Sequence, residues 1–382
     1  MKRKILILLS YILVAALATT TTLFLTHSSD DYSKLLELED LIGDYYIDPV
    51  DTVRMEDAAA DAMIHALGDR WSYYIPAAEY ASFVEGNNNA YVGIGITILA
   101  QEDNSLGFEV MEVIQGGPAE EAGILVGDIV VAVEGQRTAG METADMRNIV
   151  RGEEGTFVSI TVYRDGREIT LNVERRTVQT VVASGQILEG NVGLVTIVNF
   201  DARCAQETIA AIEALREQGA TSLIFDVRNN PGGYAHEMVA ALDYLLPEGE
   251  LFRTRDYAGR ENADTSDEDF LDMPMVVLVN ADSYSAAEFF AVALQEYGAA
   301  TVVGQQTSGK GYFQQTFQLS DGSAVALSTG KYFTPKGISL EGVGITPDVE
   351  ASVEEETYWK IYYNQLPPEE DPQIQAALEL LR

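Results

Sequence analysis

Residues Met275 to Asn280 form a short, β-branched apolar run, and from Ala286 the apolar residues Ala286, Phe289, Phe290, Ala293 and Leu294 recur at three and four positions. A buried strand that turns into a helix within a few residues leaves Ser285 at the switch. Just behind it lie the first N–H groups of the helix, which have no partner inside the helix. A second strand, Thr301 to Val303, then leads to Thr307-Ser-Gly-Lys-Gly, a glycine-flanked turn carrying Lys310. A hydroxyl at a helix mouth and a lysine held on a tight turn are the parts of a Ser–Lys hydrolase. A plainer reading fits the same residues: Ser285-Ala-Ala-Glu288 is also a capping box, and Gly-Lys-Gly is also a turn with a solvated lysine.

The surrounding residues 178–350 alternate strands and helices. Val192 to Ile197 and Ser222 to Val227 read as strands, Ala205 to Glu217 and Ala235 to Leu246 as helices. Such alternation predicts crossover units and a largely parallel sheet, whose ligand sites lie at the carboxyl ends of the strands. Arg228-Asn-Asn-Pro-Gly-Gly and Ser285 both fall there. The acidic stretch Glu261 to Asp272 lacks the central glycine of a calcium loop and reads as a solvated loop.

The N-terminal third is different. Met1-Lys-Arg-Lys precedes an apolar run, Ile5 to Leu25, long enough to span a bilayer, and Asp30 and Asp31 follow it. By the positive-inside rule the remainder lies outside the cytoplasm, held by an uncleaved anchor or released after cleavage. Residues 28–89 read as a helical arm, with Leu35, Leu36, Leu38, Leu41 and Ile42 as a stripe and an alanine-rich helix after it. Trp71-Ser-Tyr-Tyr-Ile-Pro reads as a turn whose aromatic residues belong to a core. The net charge of −36 excludes a nucleic-acid partner. Cys204 is the one cysteine, so no intrachain disulfide and no thiol-based metal site can form; no cofactor and no metal are expected.

Residues 90–177 carry short strands and many glycines. Val92-Gly93-Ile94-Gly95-Ile96 fails as a dinucleotide fingerprint, because Ile98 stands where a third glycine is required. With the downstream Gly116-Gly-Pro-Ala-Glu-Glu-Ala-Gly-Ile block and a helix over Met141 to Val150, the segment resembles a PDZ domain. That resemblance implies that Val92 to Ile96 offer N–H groups to a peptide's terminal carboxylate while the peptide adds as a strand. Arg151, just past the helix, is a candidate for coupling peptide capture to a catalytic cleft; a surface arginine is the alternative.

Three motifs follow in order behind this segment: Asp226-Val-Arg-Asn-Asn-Pro-Gly-Gly, Val-Asn-x-x-Ser-x-Ser285-Ala-x-Glu, and Gly304-x-x-Thr-x-Gly-Lys310-Gly-x-x-Gln314. Together they resemble the carboxyl-terminal processing peptidases, tail-specific serine proteases of the S41 type. Ser283-Tyr-Ser285-Ala-Ala departs from the family's usual Ala-Ser-Ala-Ser but keeps the nucleophile position. The expected architecture is multidomain α/β: a membrane or signal segment (1–27), the helical arm, a PDZ β-sandwich-like domain, an α/β protease core with a largely parallel sheet, and a tail (351–382) with a helix from Pro372.

The resemblance implies Ser285 as nucleophile and Lys310 as general base. A lysine can act so only when neutral, so its pKa must fall from about 10.4 toward 7, at a cost near 4 kcal/mol. Gln314, two positions beyond Tyr312 on one strand face with Lys310, is expected to hydrogen-bond the lysine. The oxyanion needs two donors: Ala286 N–H and that of Gly232 or Gly233. A Ser–His–Asp arrangement through His236 is the internal rival, although His236 opens a helix. Ser328-Thr-Gly-Lys331 matches a penicillin-binding motif but lies in a β-like run and is rejected. Substrates are expected to be proteins or peptides with free, apolar carboxyl ends, and a homo-oligomer is compatible with the chain. A membrane-anchored PDZ scaffold with a decayed protease domain is the alternative function; retention of Ser285, Lys310, Gln314 and Asn-Asn-Pro-Gly-Gly argues against it.

Overall fold

The computed structural model describes residues 32–100 and 105–382. The expected membrane span and His27 lie outside the described residues; among those described, no helix is long and apolar enough to cross a membrane. The chain divides into two compact units, Met1–Gly68 and Asp69–Arg382.

In the first unit, helices Ser33–Tyr45 and Thr52–His65 form as the periodicity predicts. Asp51 caps the second by accepting from Arg54 N–H at 3.0 Å. Neither helix buries a residue, and Leu36 and Leu38 are each 52% exposed, so the leucine stripe builds no core here.

In the second unit, the central sheet runs in the order 183–188, 192–197, 222–226, 275–279, 300–304, 349–350. Its first pair is antiparallel and the remaining pairs are parallel. The strand Met275–Val279 shows why its sequence is apolar throughout: Met275, Val277 and Val279 enter one core and Val276 and Leu278 the other. The first core is covered by helices Cys204–Glu217, Ala235–Leu245 and Ala286–Tyr297, the second by helix Pro372–Leu380 through Ile374, Ala377 and Leu378. Helix Ala286–Tyr297 is buried on all sides as far as Leu294, more than the single apolar face the periodicity implies.

Beside it lies a second, antiparallel sheet built from 73–75, 324–333, 249–256 and 261–266, with 312–318 also paired to 324–333. Two expectations are corrected by it. Glu261–Ser266 is a strand and not a loop, paired to Gly249–Asp256; its mostly exposed polar side chains carry no period, and the ladder alone holds it. Tyr73–Ile75 is likewise a strand, paired with Ala324–Ala326, where a helical segment with turns was expected. A helix at Glu355–Tyr362, hidden in the acidic tail, is an addition.

The segment with the Gly-Ile-Gly-Ile loop has its own core of Ile94, Phe108, Val110, Met146, Ile160 and Val162 among others. Its sheet joins strands 96–100, 108–113, 129–133, 157–164 and 167–174, and the helix spans Thr143–Val150.

Helix Pro372–Leu380 is tied to the carboxyl end of strand Ser222–Asp226 by charge. The Arg228 side chain, 4% exposed, forks onto Asp226 at 2.9 and 2.5 Å and reaches Asp371 and Gln373 at 2.8 Å each. Asp371 also caps the helix through Gln373 and Ile374 N–H. Removing one member of a buried ion cluster strands the others. Asp371→Ala is therefore expected to lower stability by about 3 kcal/mol, read by urea unfolding, with Asp371→Asn, which keeps the cap, losing less.

Candidate active site

The strand-to-helix turn puts Ser285 at φ 59°, ψ −127°, a backbone conformation that side chains rarely adopt. Its neighbours hold it there. Tyr284 N–H donates to Asn230 O at 3.1 Å, and Ser285 N–H donates to Glu288 Oε2 at 2.9 Å. The loops after strands 222–226 and 275–279 are laced together by Asn229 and Asn280, which exchange hydrogen bonds of 2.9 and 2.7 Å. Ser283 completes the lacing by donating to Val227 O at 2.7 Å.

This lacing brings Gly232 and Gly233 against the serine. A Cβ on Gly232 would lie 2.7 Å from Ser285 Cβ and 2.9 Å from Ala286 N, and one on Gly233 would lie 2.3 Å from the Phe200 carbonyl carbon. Both adopt positive φ, at 88° and 146°, so glycine is required twice over. Gly232 N–H is already donated to Asn230 Oδ1 at 2.8 Å. Among the described residues, Gly233 N–H and Ala286 N–H have no protein acceptor. Of the two glycines, Gly233 is thus the one whose N–H is left without a protein acceptor among the described residues.

The Lys310 turn is attached to the same helix through one carboxylate. Glu288, fully buried, accepts from Thr307 Oγ1 at 2.5 Å and from Gly309 and Lys310 N–H at 2.8 Å each, in addition to Ser285 N–H. Burial pushes its pKa up, and the hydrogen bonds from Thr307 and the three amides work against that. The capping-box half of this arrangement is visible in the sequence; the reach to the lysine turn is not.

Burial also lowers the Lys310 amine, to about 8, against the opposing pull of Asp69, Glu288 and Glu341. Its Nζ lies 5.0 Å from the Trp71 ring centroid and 5.7 Å from that of Tyr284. No hydrogen bond joins it to Ser285 Oγ among the described residues. Gln314 does not hold the lysine: its Nε2 donates to Tyr312 O at 3.2 Å and to Ser328 Oγ at 3.1 Å. Lys310 precedes strand Tyr312–Gln318, so the two-residue alternation expected to align them does not extend to it.

Other candidates fall away. His236 is exposed and stacks on Tyr234. Ser328 and Lys331 lie within strand Ala324–Phe333, as the β-like run predicts. Burial raises the Cys204 thiol to about 12, too high for a nucleophile. No group of three potential metal ligands occurs among the described residues.

The PDZ-like segment carries an apolar pocket of about 180 Å³ lined by Gly93 to Ile96 together with Met146, Val150 and Arg151. Val92 is not in its wall; it pairs with Thr177 in a two-stranded ribbon. Ile94 and Gly95 N–H have no protein acceptor among the described residues. Arg151 donates to Glu85 at 3.2 Å and lies 5.5 Å over the Tyr91 ring. Glu85 sits on helix Ala77–Asn87, which connects the antiparallel sheet to this segment.

The carboxylate of Glu288 generates a prediction. Gln at this position keeps the volume but halves the accepting capacity, leaving buried N–H groups unpaired. Glu288→Gln is expected to cost about 2 kcal/mol of stability. It is also expected to lower kcat about 100-fold with little change in KM, because the two halves of the site shift relative to each other. Steady-state kinetics beside a denaturant titration check both.

The chain is similar to known proteins over most of its length. The profile of "Peptidase family S41" matches residues 191–351, and that of "PDZ domain" matches residues 109–164. The "Probable CtpA-like serine protease" of Staphylococcus epidermidis (strain ATCC 12228 / FDA PCI 1200) is 32% identical over 362 residues, 91% of this chain and 73% of that protein. The "Carboxy-terminal processing protease CtpA" of Bacillus subtilis (strain 168) is 30% identical over 378 residues, 95% of this chain and 80% of that one. Among solved structures, the photosystem II D1 C-terminal processing protease aligns at 28% identity over 83% of this chain and 86% of its own, with a TM-score of 0.48. The chain belongs to peptidase family S41, among the carboxy-terminal processing serine proteases.

Proposed function

We propose that the protein is an endopeptidase that cuts polypeptides near their carboxyl ends, with Ser285 as nucleophile and Lys310 as general base. The observation that carries this reading is the meeting of two acceptor-free N–H groups with a serine at the helix mouth, beside an amine that burial holds near neutrality. Neutral Nζ takes the hydroxyl proton as Oγ attacks the scissile carbonyl. The oxyanion accepts from Gly233 and Ala286 N–H, while Gly232 shapes the turn that presents them. The lysine then returns its proton to the leaving amine, and a water repeats the cycle to release the acyl enzyme.

This sequence requires Nζ to move from its aromatic surroundings to Oγ when substrate is seated. Contacts of this kind commonly tighten only in the loaded enzyme. Gln314 is assigned the orienting role, its amide leaving Ser328 as the lysine moves. Loss of any of these parts would leave a scaffold; their joint presence favours the enzyme.

Substrate choice is assigned to the PDZ pocket. Its apolar walls suit an apolar last side chain, and Ile94 and Gly95 N–H suit a terminal carboxylate. Arg151, in the pocket wall and bonded to the connecting helix, is the proposed relay to the protease core. The basic, apolar N-terminal stretch supports the reading that this work is done outside the cytoplasm, anchored or released.

A soluble fragment beginning near Asp30, with an unfolded peptide ending in free alanine or valine, tests the proposal. Wild type cleaves; Ser285→Ala and Lys310→Met bind the peptide and leave it whole; Lys310→Arg is dead because arginine keeps its proton. Amidating the peptide's end raises KM about tenfold or more. The lysine must be neutral to act, so kcat/KM rises with pH through a limb near 8 and is about 100-fold lower at two units below it. Full activity of folded Lys310→Met would defeat this reading.

A further inference from the structure

Trp71 reads in the sequence as part of a turn, and the S41 chemistry assigned above makes no use of it. Its placement is nonetheless specific. The ring lies over Lys310 Nζ at 5.0 Å and stacks on Tyr284, the residue before the nucleophile, with centroids 6.1 Å apart and planes 29° from parallel. Its Nε1 donates to Glu341 Oε1 at 3.2 Å, and the other oxygen of that carboxylate accepts from Gly311 N–H at 2.7 Å. One acid thus clamps the indole to the residue that follows the lysine.

The segment carrying Trp71 is fastened on both sides. Arg70 donates to Ser308 O at 3.1 Å and stacks its guanidinium on the indole at 4.0 Å. Asp69 accepts from Trp71 N–H at 3.0 Å and from Ser72 Oγ at 2.6 Å, and Ser72 Oγ accepts from Ser328 N–H at 2.9 Å. Strand Tyr73–Ile75 then enters the antiparallel sheet. So many attachments on four successive residues, Asp69 to Ser72, fix the indole in one place.

We propose that Trp71 is a positioning residue for catalysis: its indole, clamped by Glu341 and Tyr284, roofs Lys310, keeps water from the amine and holds it ready to accept the Ser285 proton. The inference rests on the Ser–Lys reading and deepens it. The groups facing the amine across this roof are the carboxylates of Asp69, Glu288 and Glu341 and the phenol of Tyr284; Arg70 lies against the indole. The aromatic faces favour the charged amine, whereas exclusion of water favours the neutral one. Burial is the larger influence, since the amine sits at about 8 despite three acids drawing it upward.

The test follows kcat/KM against pH for wild type, Trp71→Ala, Trp71→Phe and Trp71→Gln. In Trp71→Ala the rising limb is expected to move up by about one unit or more, a roughly tenfold loss at neutral pH that alkaline assay largely restores. Trp71→Phe keeps a ring over the amine and is expected to keep the limb near its wild-type position. Trp71→Gln fills the space with a polar group and is expected to raise the limb, which keeps the test usable if the alanine variant does not fold. The Lys310 Cε resonance of labelled Ser285→Ala protein, with and without Trp71→Ala, should show the same displacement without turnover. A limb unmoved in both Trp71→Ala and Trp71→Gln, whatever the fall in rate, would overturn the roof. Activity in Lys310→Met would instead overturn the Ser–Lys reading, so the two failures are separable.

Discussion

One buried carboxylate holds the two halves of this active site in register. Glu288 receives the N–H of Ser285 from its own helix and the N–H groups of Gly309 and Lys310, with the Thr307 hydroxyl, from the turn after the next strand. A carboxylate without such partners would be far too costly at zero exposure. Its four donors are therefore a condition of the site's existence, not an ornament of it. The strained Ser285 backbone depends on the same bond, because it fixes the N–H of the residue whose φ is positive.

The sequence made the central sheet legible because its strands are apolar on both faces and its helices are periodic. Val192–Ile197 was expected and found with both bounds intact. Ser285 and Lys310 were legible as a helix-mouth hydroxyl and a turn lysine, and the structure brings their segments together through Glu288 without joining Nζ to Oγ. Contacts between distant segments were illegible. Trp71 and Glu341 are separated by 270 positions, and Arg70 and Ser308 by 238. No local propensity or spacing reports such contacts. Glu261–Ser266 escaped for the complementary reason: an edge strand of polar residues has no apolar period, and only its ladder with Gly249–Asp256 defines it. Gln314 shows the limit of alternation: the strand begins two residues after Lys310, and its register shifts between Phe313 and Gln314.

The apolar pocket of the PDZ domain is connected to the protease core by covalent and polar links alike. Helix Ala77–Asn87 runs from the antiparallel sheet to the ribbon strand Ala90–Gly93, and it carries Glu85, the partner of Arg151. At the same end of the helix, Asn87 O accepts from Ala202 N–H, and just beyond it Asn89 exchanges amide hydrogen bonds with Asn199 at 3.1 and 2.8 Å. Asn199 and Ala202 flank Phe200, whose backbone brackets the Gly232–Gly233 turn by accepting from Tyr234 N–H and donating to Gly232 O. The last turn of this helix and the residues just past it thus link the pocket wall, through Arg151, to the backbone that brackets the Gly232–Gly233 turn.

The acids around Lys310 make the deepest constraint. This chain carries 60 acidic residues, and a lysine in a cleft would ordinarily be taken by one of them as an ion pair. Such a pair would hold the amine charged and useless as a base. Three carboxylates do surround it, yet each is committed elsewhere: Glu288 to backbone N–H groups and Thr307, Glu341 to Gly311 N–H and the Trp71 indole, Asp69 to Trp71 N–H and Ser72. Among the described residues none lies within ion-pair distance of Nζ. The amides and the indole thus do two jobs with one set of bonds: they build the walls around Lys310, and they occupy the acids that would otherwise pair with its amine and block the base role proposed for it.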